Sequence, residues 1–486
     1  MSGHDRDREA VREAIARARA AQEEIAHWEQ GRVDAAVAAA GWQVYAERAS
    51  RSLARLARAE TGMGDEEDLH LVHRKRVLGT LRDLAGARTV GLVARSPHAG
   101  TATYAKPVGV IASATPATAP ATGVATNALG MLKTRNAVVF SPNPRALRTA
   151  RATVAGLRHG LAQAGAPVDL VQCLAGGRES VAGLMAAADL VAAAGGTGTV
   201  RRAYSSGTPA ISSGVGNPPV LVDETADLAR AVDCVVEGAG FNNGTSCSSE
   251  SNVLVSAEVA DAFLAGAVRR GAHLCTSEQT ALLRDVLWPD GRRLDRRAVG
   301  RPAADLARMA GFALPGAGAE TVALVVPFDS YKETEPFFGE KLAPVLTFQA
   351  YDDFEQAVDD VTRMLDDCGR GHSCAIHTTR DDRVHRLALR APSCRVMVNQ
   401  STGAGNTGSF DNGLPFTSVV SSGTWGGCSR SENVTWRDFL NYTTVSRTIP
   451  AAVPDEAELF AAHWAAHGRA LGAADGAGGP LQAGKG

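Results

Sequence analysis

The sequence predicts an α/β protein with two parallel-sheet lobes and a small projecting β element. Three observations carry that prediction. From Val108, short apolar runs alternate with helical stretches, a pattern that needs crossover connections and therefore a parallel sheet. A second alternation of the same kind begins after Cys247. Ahead of both, "TVGLVARSPHAGTATYAKPVGV" alternates about a Pro-His-Ala-Gly turn, the pattern of a hairpin near residues 95–107.

In chain order, residues 6 to about 60 place apolar side chains at i, i+3, i+4 in "REAVREAIARARAAQEEIAHW" and "VDAAVAAAGWQVYAERASRSLARLARAE". The charges that alternate on the other face mark a solvated surface. In the first lobe "VGVIASA", "DLVQCL", "DLVAAAG" and "PAISSGVG" read as short buried strands. "ALRTARATVAGLRHGLAQAG", "ESVAGLMAAA" and "TGTVRRAYSSG" read as the helices between them. In the second, "ESNVLVSA", "VADAFLAGAVRRGA", "TALLRDVLW", "TVALVVPF", "PVLTFQAY", "DFEQAVDDVTRMLDD", "SCAIHTT" and "CRVMVNQ" continue the mixed pattern. Cys247 then lies near the junction of two lobes, where ligand sites favour the carboxyl ends of parallel strands. The tail "ALGAADGAGGPLQAGKG", residues 470–486, is poor in apolar side chains and is expected to be disordered.

Composition narrows the function classes. At 486 residues, 45% hydrophobic, 21% charged and with a formal net charge of -2, the chain is an ordinary globular one with about two to four domains. Nothing in that balance calls for nucleic acid or an acidic membrane as partner. Its 8 cysteines include no CxxC pair and are too dilute for a disulfide scaffold, so free thiols and no metal site are expected. The N-terminus is charged from the start, and the uncharged run Pro107 to Leu132 is broken by Pro116 and Pro120. Neither a signal peptide nor a membrane span is read, and a cytoplasmic location is the expectation.

Two stretches offer chemistry. In "AAAGGTGTVRRAY", Ala192 to Tyr204, glycines stand between an apolar strand and a helix start, where backbone N–H groups can approach a phosphate. Arg201 replaces the third glycine of a dinucleotide fingerprint, so on the glycines alone a plain strand-to-helix turn is the better reading. In "FNNGTSCSSE", Cys247 sits among small residues able to present backbone N–H groups to an oxyanion, and Gly244 permits unusual backbone geometry. A lone cysteine is more often a buried hydrophobe. No cationic residue lies near it in sequence, so activation must come from the fold or a cofactor.

Four motifs together decide more. Cys247, "EPFFGEKLAPVL", "KTRNAVVFSPNPRA" and "GTWGGCSRSENV" occur in order over residues 85 to 450. They resemble the aldehyde dehydrogenase superfamily, and within it the coenzyme A-acylating branch. The resemblance implies a nucleotide-binding domain over 1–239, a catalytic domain over 240–433, and an oligomerisation flap. The flap would combine the 95–107 hairpin with residues 434–455. It implies Cys247 as nucleophile; Thr115, Pro116 and Thr118 in the loop lining the nicotinamide; and Gly196 in the pyrophosphate turn. Gly214 would face the nicotinamide, and Glu340 would hold its ribose, as a carboxylate accepting two hydroxyls can. Ser141 and Arg145 follow the strand "NAVVF", where the adenosine ribose would lie. Arg145 could meet a 2′-phosphate, which leaves NAD and NADP both open. His372 matches a histidine of acylating members, either to position coenzyme A or shuttle a proton, or to bond loop backbone. Glu250 reads as a structural cap.

Two departures bear on mechanism. Hydrolytic relatives carry a glutamate in a "LELGG"-type segment, whereas this chain reads "SSGVGNPPV", Ser212 to Val220, without a carboxylate. With no base to make hydroxide, a thioester on Cys247 waits for a thiol such as coenzyme A. Ala119 stands where the family usually places an oxyanion-binding asparagine. Loss of such a donor costs on the order of 10²–10³ in rate unless replaced, and the Cys247 N–H and the Thr118 hydroxyl are the donors left.

The expected activity is oxidation of a short aldehyde to its acyl-CoA with NAD or NADP, by a homodimer or homotetramer. The competing readings are a CoA-independent dehydrogenase and a catalytically weakened member acting as a binding partner. "FNNGTSCSSE" and "GTWGGCSRSEN" are most similar to members acting on sulfoacetaldehyde, with acetaldehyde or propionaldehyde as the alternative. Asn242, Thr245 and Arg430 are the candidate contacts to an anionic end, arginine being well shaped for sulfonate. Arg430 could instead sit at a subunit interface or pair with Glu432.

Overall fold

The structure, a computed structural model, describes residues 3–318 and 320–469. The tail expected to be disordered, 470–486, lies outside the described residues. Two compact units emerge: Met1–Val90 with Lys106–Asn441, and Gly91–Ala105 with the chain from Tyr442 onward.

The larger unit opens with helices Gly3–Glu24, Gln30–Tyr45, Glu47–Thr61 and Glu66–Leu84. The second buries Val33, Ala36, Val37, Ala40, Gly41 and Val44, one stripe at helical spacing. It packs against the helix Leu147–Gln163 so closely that a Cβ on Gly160 would stand 2.4 Å from the carbonyl oxygen of Ala39. Any side chain there would force the two helices apart. The third helix ends at Gly62 in the left-handed region. The fourth starts where the Asp65 carboxylate accepts the N–H groups of Glu67 and Asp68.

Two strands, β1 (Gly91–Ser96) and β2 (Thr101–Pro107), form the antiparallel hairpin read from the sequence. Next come β3 (Val110–Thr115), β4 (Ala137–Pro142), β5 (Val171–Cys173), β6 (Leu190–Ala194) and β7 (Ala210–Ser213). They make a parallel sheet in the order β5-β4-β3-β6-β7. Strands β3, β4 and β6 are buried along their whole length, which is why they read as continuous apolar runs. The strand order reverses between β3 and β6, so Thr115 and Ala194 end at a topological switch point.

The second sheet holds β8 (Pro219–Val222), β9 (Asn252–Ser256), β10 (Ala272–Leu274), β11 (Ala323–Pro327), β12 (Val345–Tyr351), β13 (Cys374–His377) and β14 (Val396–Val398). All pair in parallel in the order β10-β11-β12-β9-β8-β13-β14. The chain passes from the first sheet to the second between Ser213 and Pro219, ahead of the 239/240 boundary read from the sequence. The reason is packing: the helix Leu228–Gly240 places Val232, Val235 and Val236 in one core with Val220 of β8 and Val253 of β9. The smaller unit adds β15 (Leu440–Ser446) beside β2, in the order β1-β2-β15. No described helix is long and apolar enough to cross a membrane.

Candidate active site

Cys247 lies in the loop between the helix Leu228–Gly240 and β9, a central strand of the second sheet. Asn242, Asn243 and Gly244 adopt consecutive left-handed backbone, with φ of 50°, 52° and 64°. Asparagine and glycine take that conformation at least cost. A Cβ on Gly244 would stand 2.4 Å from the Ala343 carbonyl oxygen, so the nucleophile loop presses directly on the "EKLAPVL" segment.

The loop is pinned by its own polar side chains. The Asn242 N–H donates to Asp68 Oδ2 at 2.6 Å, and Asn242 Oδ1 accepts the Asp65 N–H at 2.9 Å. Asn242 Nδ2 donates to Thr245 Oγ1 at 2.6 Å, which donates to the Asn242 carbonyl at 3.0 Å. Asn242 and Thr245 were expected to meet the substrate. Instead both are buried, and their donors and acceptors are consumed in holding the turn to the helix Glu66–Leu84. Asn406 Nδ2 steadies the far side of the loop through Ser248 Oγ at 2.9 Å.

Around the thiol, the structure brings together groups from three segments. Gly216 is the meeting point. Its N–H donates to Glu340 Oε1 at 3.1 Å. A Cβ there would lie 2.1 Å from the Cys247 carbonyl oxygen and 2.9 Å from His372 Cε1. Burial, helped by the Glu340 carboxylate, pushes the Cys247 thiol up to about 11, against the pull of Arg76, Ser248 and Arg395. The resting group is therefore a thiol, not a thiolate. Burial raises Glu340 to about 7 despite the Gly216 N–H. His372 is fully enclosed; burial, then Arg395, lowers it to about 3, so it stays neutral. Its Nδ1 lies 2.9 Å from Ser373 Oγ, while Nε2 has no partner among the described residues. Among the described residues, no acceptor takes the N–H of Cys247.

The neighbouring residue clarifies Glu340. Lys341 Nζ donates to the carbonyl oxygens of Phe337 at 2.5 Å and Gly339 at 3.3 Å, and burial lowers it to about 7. It fixes the segment's backbone and forms no ion pair with Glu340. Glu250 is structural, but not as a cap of its own loop. Its Oε1 accepts the Thr402 N–H at 2.6 Å, at the start of the short helix Thr402–Gly405.

On the first sheet, Thr115 closes β3 with its buried Oγ1 unpartnered. Pro116, Thr118 and Ala119 follow in a partly exposed loop. Gly196 is exposed at the first turn of the helix Thr197–Tyr204, with open space where a Cβ would be. Gly214 is partly exposed in the passage between sheets, and Ser141 is buried at the end of β4. Arg145 donates to the Thr61 carbonyl at 2.9 Å and lines a cleft of about 330 Å³ with Arg296, Arg297 and Arg301. Open backbone donors at a switch point, with the Glu340 carboxylate held on the passage between the sheets, fit a dinucleotide.

The correction falls on Arg430. The "GTWGG" turn does approach the site: Arg395 reaches the carbonyl oxygens of Ser421 at 2.6 Å, Ser431 at 3.2 Å and His372 at 2.7 Å. The turn closes on itself, however, with the Gly423 N–H donating to the Arg430 carbonyl at 2.7 Å. The Arg430 side chain is 55% exposed, with Nε 3.2 Å from Asp438 Oδ1.

Comparison with known proteins resolves the class. The profile of the Aldehyde dehydrogenase family matches residues 1–281. The chain belongs to this family. It is 39% identical over 463 residues to a sulfoacetaldehyde dehydrogenase (acylating) of Cupriavidus necator, covering 95% of this chain and 94% of the relative. It is 36% identical over 464 residues to the enzyme of that name from Bilophila wadsworthia, covering 94% and 99%. Among solved structures, an acetylating aldehyde dehydrogenase from Geobacillus thermoglucosidasius superposes with TM-score 0.89 at 28% identity, covering 93% of this chain and 100% of that one. The chain is thus an NAD(P)-dependent oxidoreductase of the acylating branch. Gly216, Arg395 and Arg76 are the site groups that sequence reasoning missed.

Proposed function

We propose that this acylating dehydrogenase converts a short aldehyde with an anionic end, sulfoacetaldehyde, to its coenzyme A thioester. The observation that carries this reading is the state of the carboxylates at the nucleophile. Glu340 is held on the Gly216 N–H, and Glu250 on the Thr402 N–H. In this reading both carboxylates hold backbone and neither makes hydroxide, so a thiol releases the product.

In this reading the Cys247 sulfur adds to the aldehyde carbon as the thiol gives up its proton, which ends on the oxygen of the hemithioacetal, and the Cys247 N–H donates to that oxygen in place of the donor lost at Ala119. Gly196 and Glu340 would hold the nicotinamide cofactor, which would supply a hydride acceptor; loss of hydride from carbon and of the proton from the hydroxyl leaves a thioester on Cys247. The coenzyme A thiol then attacks that carbonyl, and the Cys247 sulfur departs. His372, neutral and with its buried Nε2 unpartnered among the described residues, would accept a hydrogen bond from the attacking thiol, whose proton ends on the departing Cys247 sulfur. Exposed apolar side chains on the smaller unit, among them Leu92, Tyr104, Tyr442, Val445 and Ile449, favour burial between copies. A homodimer or homotetramer is the proposed assembly.

The test is NAD(P)H formation with sulfoacetaldehyde and purified enzyme. Sustained turnover is expected only with coenzyme A, and at most one equivalent of NAD(P)H per site without it. Equal sustained turnover without coenzyme A would show a hydrolytic enzyme.

A further inference from the structure

Guanidinium groups taken from water need an acceptor, so each arginine near the thiol has to be accounted for. Arg395 has three carbonyl acceptors, and Arg430 is turned outward to Asp438. Arg76 differs. It is half-buried in the helix Glu66–Leu84, and among the described residues no hydrogen bond or ion pair reaches its side chain.

That helix is fixed against the elements that bound the site. Asp68 Oδ2 takes the Asn242 N–H of the nucleophile loop. His73 Nδ1 lies 3.3 Å from Thr122 Oγ1, directly after the Thr115–Ala119 loop. Lys75 Nζ donates to the Ala404 carbonyl at 3.1 Å, and Asp83 Oδ2 takes the Phe416 N–H at 2.6 Å. Helical spacing puts Arg76 between the Asp68–Asp83 stripe and the His73 stripe, and so between the nucleophile loop and the loop after β3. The electrostatics agree. Burial lowers the Arg76 pKa while Cys247 raises it, and Arg76 in turn pulls the thiol down.

We propose that Arg76 receives the anionic group of the aldehyde, a sulfonate or carboxylate held a short chain away from the carbon that Cys247 attacks. This rests on the acylating-dehydrogenase reading above and supplies the recognition group that Arg430 does not. Guanidinium presents a planar fork of donors suited to either anion.

The experiment compares kcat/KM for sulfoacetaldehyde and propanal in the wild type, Arg76→Gln, Arg76→Lys and Arg430→Leu. The sulfoacetaldehyde-to-propanal ratio should fall about 10- to 100-fold in Arg76→Gln, as loss of a charged hydrogen bond implies. Arg76→Lys should recover part of it, and Arg430→Leu should hold it within about threefold on the same grounds. A ratio unchanged in Arg76→Gln, with both substrates falling together, would reduce Arg76 to packing or thiol tuning and overturn the inference.

A second readout needs no turnover: protection of Cys247 from iodoacetamide by ethanesulfonate or propionate, as the ratio of rates with and without the anion. Protection in the wild type that disappears in Arg76→Gln supports the inference even if sulfoacetaldehyde proves a poor substrate, in which case only the substrate reading falls. Good sulfoacetaldehyde turnover with equal protection in both proteins leaves that reading standing and removes Arg76 from it.

Discussion

The two lobes face the same reaction with different chemistry. At the strand ends of the five-stranded sheet stand Thr115, Ser141 and Gly196, hydroxyls and backbone N–H groups without charge. Two ionisable residues stand there as well: Arg145, which bonds the Thr61 carbonyl, and Cys173 at the end of β5, whose thiol burial pushes up to about 11. The seven-stranded lobe supplies at the reaction centre groups that burial has moved far from their ordinary values: Cys247 up to about 11, Glu340 up to about 7 and His372 down to about 3. The difference follows from what each side must handle. A nucleotide brings its own charge and needs neutral donors at a helix end, whereas covalent chemistry needs titratable groups tuned by their surroundings.

Substitutions can break that contrast. The largest effect is expected for Cys247→Ala, which should lower aldehyde oxidation by more than about 10⁴-fold while NAD(P) affinity, measured by fluorescence titration, moves less than about twofold. Retained CoA-dependent turnover would remove the nucleophile from the second lobe altogether. Next is the pH dependence of Cys247 alkylation. Because the thiolate is the reactive form and the thiol pKa is raised, the iodoacetamide rate should climb about tenfold per pH unit, or about 10³ from pH 7 to 10. A plateau below pH 8 would mean that Arg76 and Arg395 outweigh burial.

Glu340→Gln should cut kcat about 10- to 100-fold by loosening the ribose. It should also speed alkylation at pH 8, since a carboxylate that raises the thiol pKa is gone. Slower alkylation would place the Glu340 charge elsewhere. The smallest effect belongs to the neutral lobe. Gly196→Ala puts a methyl group into open space at an ordinary φ of -67°. It should raise KM for NAD(P) roughly three- to tenfold by blocking close approach of a phosphate, with no change in the alkylation rate.

How much of this was legible in the sequence depended on whether a residue's role is local. Strands β4 and β6 announce themselves as apolar runs because both faces are covered. The helix Thr122–Lys133 does not show, because all of its residues are buried and no polar face marks a period. The helix Glu66–Leu84 was missed for a related reason: its buried face carries His70, His73, Gly79 and Thr80 beside Leu69 and Val77. With that helix unread, nothing in the sequence singled out Arg76. Cys247 was legible through its motif. Asn242, Thr245 and Arg430 misled because polar residues near a nucleophile suggest contacts, while their direction is set by left-handed backbone and a closed turn. Spacing along the chain carries no record of direction.

The passage Gly214–Pro218 has a consequence for engineering. These few residues are all that joins one sheet to the other. Within them Gly216 touches the nucleophile loop, His372 and Glu340, and Asn217 Nδ2 donates to the Phe338 carbonyl at 2.6 Å. The linker is therefore part of the reaction chamber and not a neutral seam. A chimaera that grafts the nucleotide lobe of one relative onto the thiol-bearing lobe of another cannot be spliced here on sequence convenience. The graft must carry the linker together with the segments that hold Cys247, Glu340 and His372, as one inherited block.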